Sequence, residues 1–226
     1  MDLVRRWVEG WRLCRGLEPA IEYGDALHVV LGLPGREREL FALDDEPAIV
    51  DRLASRAAED VWLTVTTQYG DEVARRLADA GLEPFAEQKM LMSIELRDHA
   101  QPATPSPYEL DISQRGPLEY VRIVTADGEV AARGMAAIVG GDAVMHDIQT
   151  KPAHRRRGLG SVVMGALSRR ALERGATAGL LMATTEGVYL YRTLGWLSEA
   201  TMVTATGPSR APGAVGGDLG AVLARR

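Results

Sequence analysis

Residues 155–160 read Arg-Arg-Arg-Gly-Leu-Gly and fall between an apolar, strand-like run (144–150) and a helix-like one (161–174). No other feature constrains the fold as much. A glycine-containing turn that runs into a helix N-terminus leaves several backbone N–H groups without intrahelical acceptors, at the positive end of the helix dipole. That arrangement is a ready site for phosphate. The turn also carries three guanidinium groups, with no carboxylate inside it or in the first helical turn. They would repel one another at a terminus that already disfavours cations, and a bound polyanion removes the conflict. The pyrophosphate of a nucleotide-derived cofactor is the expected ligand. The pattern is not the dinucleotide fingerprint, which needs further glycines and an acidic residue about 20 positions on. It is not a Walker loop either, because no Gly-Lys-Ser/Thr follows. Taken alone, it also admits a plainer reading: a solvated arginine turn with glycines serving a tight connection.

The surrounding pattern alternates strands and helices. Residues 98–107 hold three prolines without apolar periodicity and read as a linker. Before it we expect an N-terminal helix, strands at 26–31 and 39–43, a helix at 47–59, a strand at 61–67, a helix at 71–80 and strand material over 82–96. After it we expect strands near 108–113, 119–125, 129–139 and 143–150, then the long helix. Strand 179–183, helix 186–194 and strand 198–205 follow. Turns at Asp127-Gly128 and Gly140-Gly141-Asp142 separate the later strand pairs. The expected organisation is an accessory half (1–98), a linker (99–107), a main domain (108–206) and a flexible tail (207–226). Leu63 to Thr67, a helix and Leu77 to Leu82 parallel Leu181 to Thr185, a helix and Tyr191 to Trp196. This parallel is open to two readings, a worn second copy of the C-terminal fold or a chance coincidence of short units. The N-terminal half lacks the arginine–glycine turn, and Leu77 stands where the other half has Tyr191.

Composition removes several function classes. The chain has 226 residues and 46% hydrophobic residues, enough for a real core. A formal net charge of −5 gives no basic field for nucleic acid. Of the 26 basic residues only Lys89 and Lys151 are lysines, a bias expected of a GC-rich, bacterial coding genome. The single cysteine, Cys14, excludes an intrachain disulfide and a cysteine-rich metal site, and the four histidines show no ligand spacing. No metal is expected. The N-terminal stripe of Val4, Trp7, Val8 and Trp11 is broken by charges, so it is neither signal peptide nor membrane span, and a cytoplasmic protein is expected. The two tryptophans read as a staple fixing that helix to the core. Homodimer formation stays open.

In context the turn becomes specific. Ile148-Gln149-Thr150-Lys151-Pro152-Ala153-His154-Arg155-Arg156-Arg157-Gly158-Leu159-Gly160 resembles the acetyl-CoA-binding motif of the GNAT (GCN5-related N-acetyltransferase) family, an apolar strand, a proline, then Gln/Arg-x-x-Gly-x-Gly/Ala. About 30 residues on, Thr184 to Trp196 resembles the family's second motif, Asn-x-x-Ala-x-x-Leu-Tyr-x-x-x-Gly-Phe. Here Thr184, Gly187 and Trp196 replace the usual Asn, Ala and Phe. The resemblance covers about 108–206. It implies an α/β (α+β) acyl-CoA N-acyltransferase fold, a mixed, mainly antiparallel sheet flanked by helices, with a GNAT-like or accessory N-terminal half. It implies acetyl-CoA as cofactor and acetyl transfer to a primary amine of a small molecule or protein.

Site roles follow from the same resemblance. The strand end, Ile148, Gln149 and Thr150, would pair with the pantetheine arm. Backbone N–H groups of Arg156, Arg157, Gly158, Leu159, Gly160 and Ser161 would hold the pyrophosphate, with the Arg155 or Arg156 side chain adding a charge-assisted contact. Tyr191 falls where many members aim a phenol at the thioester sulfur. A phenol near pKa 10 is a poor acid toward a thiolate near 8.5, so a strengthening hydrogen bond is the expected role. For the base, His146 leads over Asp147 and Glu186, because an imidazole near 6.5 is mostly unprotonated at neutral pH. His146 is expected to share a strand face with Ile148. The main rival reading is a non-catalytic acyl-CoA-binding sensor or interaction module. Short loops around Gly116 and Pro117 leave no room for the helix pair that normally walls the acceptor pocket, so residues 1–100 are expected to supply that wall.

Overall fold

A computed structural model describes residues 3–208. The first half comprises α1 (Leu3–Cys14), β1 (Ile21–Tyr23), β2 (Ala26–Leu33), β3 (Arg36–Ala42), α2 (Pro47–Ala54), β4 (Val61–Thr67), α3 (Gly70–Asp79), β5 (Glu83–Pro84) and β6 (Lys89–Glu95). The second comprises β7 (Glu109–Arg115), β8 (Leu118–Val124), β9 (Val130–Val139), β10 (Asp142–Thr150), α4 (Leu159–Glu173), β11 (Ala178–Ala183), α5 (Thr185–Thr193) and β12 (Leu197–Thr206). The sequence places each long element within a few residues. The exception is α2, which stops at Ala54 and not at 59. Ala58 and Val61 exchange backbone hydrogen bonds there, and the Ala58 carbonyl also accepts from Gly207 N at 3.0 Å. A contact from the far end of the chain thus ends a helix whose local periodicity runs on. Most of the anticipated tail, 209–226, lies outside the described residues.

All the strands join one sheet, ordered β1-β2-β3-β4-β12-β6-β11-β10-β9-β8-β7, with β5 pairing β12 beside that path. Only β3–β4 and β10–β11 run parallel, each pair connected through a helix, and every other pairing is antiparallel. The sheet does not divide at residues 98–107. β6, from before the connecting segment, lies between β11 and β12; β12, the last strand, lies between β4 and β6. Each half therefore contributes a strand to the middle of the other's surface. The connecting segment is packed as well: a Cβ added to Gly165 of α4 would sit 2.8 Å from the Ala100 carbonyl oxygen.

Helices α4 and α5 cover one face of the second half, where Val162, Val163, Leu167 and Trp196 meet Val121, Ala136 and Met145. On the first half, α2 and α3 bury Val50, Leu53, Val73 and Leu77 against β4 and β12. Among the described residues, α1 is the helix on the opposite face. Its Trp7 and Trp11 stack at 5.4 Å, meet Phe41 edge-on, and join a cluster that spans Leu27, Val29, Leu91, Val144, Leu180 and Met202. Strands of both halves thus close around one helix. Gly10 makes this approach feasible, since a Cβ there would stand 2.2 Å from Val144 Cγ2. Arg6 pairs with Asp142 at the start of β10, which fixes the helix to the second half.

Candidate active site

The cleft begins where a strand pair parts. β10 and β11 are paired only from Asp142↔Ala178 to Val144↔Leu180. Beyond that, β10 follows β9 out to Thr150↔Ala132, while β11 follows β6 to Ala183↔Met90. The opening has a volume of about 960 Å³ and is lined by the end of β10, the end of β11, the first turns of α5 and, from across the sheet, Trp7.

A β-bulge shapes the β10 wall. His146 pairs with Met135 and Gln149 with Arg133, so Asp147 and Ile148 together oppose Gly134. Asp147 takes the strain, with φ at +52°, a region in which Asp is tolerated better than most side chains. The extra residue corrects one expectation: His146 does not share a face with Ile148. Ile148 turns into the α4 core, where a Cβ on Gly134 would meet its Cδ1 at 2.5 Å. Val144, two residues before His146, packs in the α1 cluster, and strand alternation places His146 on that same side. Burial pushes the His146 pKa below its ordinary value, and the charge of Arg15 adds to the effect against the opposing pull of Asp147. The imidazole is therefore unprotonated at neutral pH. Asp147 is otherwise engaged: its carboxylate accepts from Gln149 Nε2 at 2.5 Å and pairs with Arg133 at 3.0 Å.

The arginine turn follows a single 3-10 turn, Pro152–His154. Arg156 at φ +63° and Gly158 at φ +75° reverse the chain, and Gly158 caps α4 without any side-chain hydrogen bond. No backbone acceptor serves the N–H groups of residues 156–161 among the described residues; the first such bond is Val162 N to Gly158 O, at 3.2 Å. With no acidic residue in the first turn of α4, those amides and the dipole present uncompensated positive potential. Arg155 folds back to the Thr150 carbonyl at 3.3 Å and lines the cleft, and Arg156 is exposed. Arg157 instead bonds Tyr108. Gly160 lets α5 close the base of the opening, for a Cβ there would lie 3.2 Å from Leu190 Cδ2.

The opposite wall is α5. Thr184, where the motif usually has Asn, caps the helix by accepting from Gly187 N at 3.1 Å. Glu87, from the β5–β6 loop, accepts from Thr185 N at 3.4 Å. Gly187 clears space for the Tyr191 ring, since a Cβ there would stand 3.2 Å from its Cε2. Tyr191 lines the cleft at 9% exposure, with no hydrogen-bond partner for its hydroxyl among the described residues. Desolvation pushes its phenol up to about 12. A deprotonated Tyr191 is thus out of reach at physiological pH, and the group is fixed as a hydrogen-bond donor.

Of the residues singled out in the sequence, Tyr191, His146, Ile148, Gln149, Thr150, Arg155 and Gly160 line the same cleft. Arg156, Arg157, Gly158, Leu159 and Ser161 adjoin it in the arginine–glycine turn and the start of α4. Glu186 lines it too. Trp7 and Met182 escaped the sequence reading, because a tryptophan and a methionine on apolar stripes read as core. Trp7 is 2% exposed and belongs to the first half, yet it is among the residues that line the opening. No trio of His, Cys, Asp or Glu able to hold a metal occurs among the described residues, and none of their helices is long and apolar enough to cross a membrane.

Residues 88–196 match the model of the acetyltransferase (GNAT) family. Among solved structures, the chain is similar to a GCN5-related N-acetyltransferase from Kribbella flavida, with TM-score 0.67 and 19% identity over 93% of this chain and 96% of that one. It is similar to one from Sphaerobacter thermophilus, with TM-score 0.59 and 14% identity over 90% and 91% of the two chains. A tandem GNAT protein from the clavulanic acid biosynthesis pathway aligns with TM-score 0.57 and 14% identity over 84% and 83%. These similarities concern the fold. No curated protein sequence matches the chain.

Proposed function

With residues 88–196 belonging to the acetyltransferase (GNAT) family, we propose that this chain transfers an acetyl group from acetyl-CoA to a primary amine of a small molecule or protein. One observation carries the reading. The opening between β10 and β11 lies beside a turn whose amides, 156–161, have no backbone acceptors among the described residues. The donors fit a diphosphate, and the parted strands leave the backbone of 148–150 beside the opening, where an extended amide chain can pair as an added strand. Arg155 or Arg156 adds a charge-assisted contact.

Acetyl-CoA, when bound, supplies an activated thioester. The chain's own groups do the rest. Tyr191 keeps its proton and offers it as a hydrogen bond where negative charge develops. His146, unprotonated and on the α1 side of the strand, accepts a proton from the attacking amine. Trp7 and Met182 give the acceptor side apolar walls.

The test is a titration with CoA followed by a free-thiol assay against a panel of amines and peptides. Saturable CoA binding with amine-dependent thiol release is expected. CoA binding without turnover on any amine would favour a sensor or interaction module, and no CoA binding would remove the assignment.

A further inference from the structure

The three adjacent arginines form one cationic run in the sequence, but the fold separates them. All three are exposed and none has a carboxylate partner among the described residues, and what differs is their other contacts: Arg155 reaches back to the Thr150 carbonyl at 3.3 Å. Arg157 donates from Nη1 to the phenol oxygen of Tyr108 at 2.7 Å and sits 5.9 Å above its ring. Tyr108, 8% exposed, directly follows the connecting segment. Its oxygen also lies 3.0 Å from Nδ1 of His154, with the two rings edge to face at 5.7 Å. His154 Nε2 in turn faces the Glu129 carboxylate at 3.5 Å, and Glu129 also holds Lys151 Nζ at 3.0 Å.

A guanidinium only donates, so the Tyr108 oxygen accepts from Arg157. Hydrogen bonds thus link Arg157 to Tyr108 and Tyr108 to His154, whose far ring nitrogen faces the Glu129 carboxylate. They also bracket the anion turn. His154 ends the 3-10 turn before it, and Arg157 immediately precedes Gly158. Between the two anchors lies Arg156 in the left-handed region at φ +63°, a conformation that needs the surrounding structure to hold it. One buried phenol thus contacts both ends of the segment whose amides lack backbone acceptors among the described residues.

We propose that Tyr108 is a positioning residue. Through Arg157 and His154 it presets the amides of 156–161 for a diphosphate, and it takes no part in acyl transfer. This rests on the acyl-CoA reading given above. Donors ordered in advance bind an anion without the entropy cost of arranging them. Arg157 is accordingly a structural anchor, and the side-chain contact to phosphate falls to Arg155 and Arg156.

The test compares two ligands by equilibrium titration: CoA, and pantetheine, which lacks the diphosphate. Removing one buried hydrogen-bonding partner predicts that Tyr108→Phe binds CoA about 5- to 20-fold more weakly, with pantetheine affinity changed less than about twofold. The maximal rate at saturating acetyl-CoA should stay within about twofold. His154→Phe and Arg157→Ala should show the same selective loss, and they serve if Tyr108→Phe does not fold. Unchanged CoA affinity, or equal weakening for both ligands, would overturn the positioning role. Wild-type protein that binds neither ligand would instead overturn the acyl-CoA reading itself.

Discussion

Replacing Tyr191 by Phe removes one oxygen from a cleft wall and keeps the ring that packs against Trp196 at 6.1 Å. The phenol stands at about 12. A thiol leaving group near 8.5 is then about 3.5 units less basic, so full proton transfer from Tyr191 would be uphill by about 5 kcal/mol. That barrier contribution argues against a free-standing acid step and leaves a hydrogen bond to developing charge. Such a bond is worth about 1.5–3 kcal/mol. The Phe variant should therefore lose roughly 10- to 150-fold in kcat, with little change in CoA affinity, since the hydroxyl acts only as charge forms. The pH dependence discriminates further. Because the phenol stays protonated to about 12, wild type and variant should share the same alkaline limb in a free-thiol assay. An unchanged kcat would remove Tyr191 from the mechanism. An alkaline limb between about pH 8 and 10 that vanishes in the variant would show the phenol ionising in its ordinary range and would refute the desolvation argument.

Other expectations follow from single residues. Burial, then Arg15, hold His146 below its usual range, so the acid limb of kcat/KM should fall below pH 6.5 and disappear in His146→Gln, with a rate loss of about 10²–10⁴. A limb that persists in the variant would assign the base elsewhere. Burial raises the Cys14 thiol from 9.0 to about 12. Its stabilising effect is thus complete below pH 9 and lost as pH rises toward 12, by about 1.4 kcal/mol per unit. Urea unfolding at successive alkaline pH values should show Cys14→Ala losing less stability than wild type, and parallel losses would contradict the assignment. Gly10→Ala should destabilise by about 1–3 kcal/mol from overpacking on Val144, despite a gain of up to about 1 kcal/mol in helix propensity. A higher urea midpoint in that variant would mean that α1 does not approach β10 as described.

Much of the site was legible because its chemistry is local. Backbone amides at a helix start and a glycine-containing turn before it depend on neighbours within a few residues. Their spacing in the chain is nearly their spacing in space. His146 was legible as a candidate but not in its orientation. A bulge is an insertion relative to a partner strand, and Met135 and Arg133 are eleven or more positions away. The sequence marks the second half with motif residues, while the first half carries no equivalent turn.

The sequence by itself determined the strand–turn–helix unit around the arginine–glycine turn, the phenol on the following helix, the mixed αβ character and most element boundaries. Each is a matter of local periodicity, capping and backbone freedom. Only the tertiary structure decided that β6 and β12 lie in the centre of one continuous sheet, that α1 is enclosed by strands of both halves, and that Trp7 reaches the cleft. It alone separated Arg157 from its two neighbours by giving it Tyr108, 49 residues earlier. Strand order and side-chain partnership are set by which apolar faces and hydrogen-bonding groups satisfy one another across long loops. An alternation of apolar and polar residues names a buried face without naming what covers it.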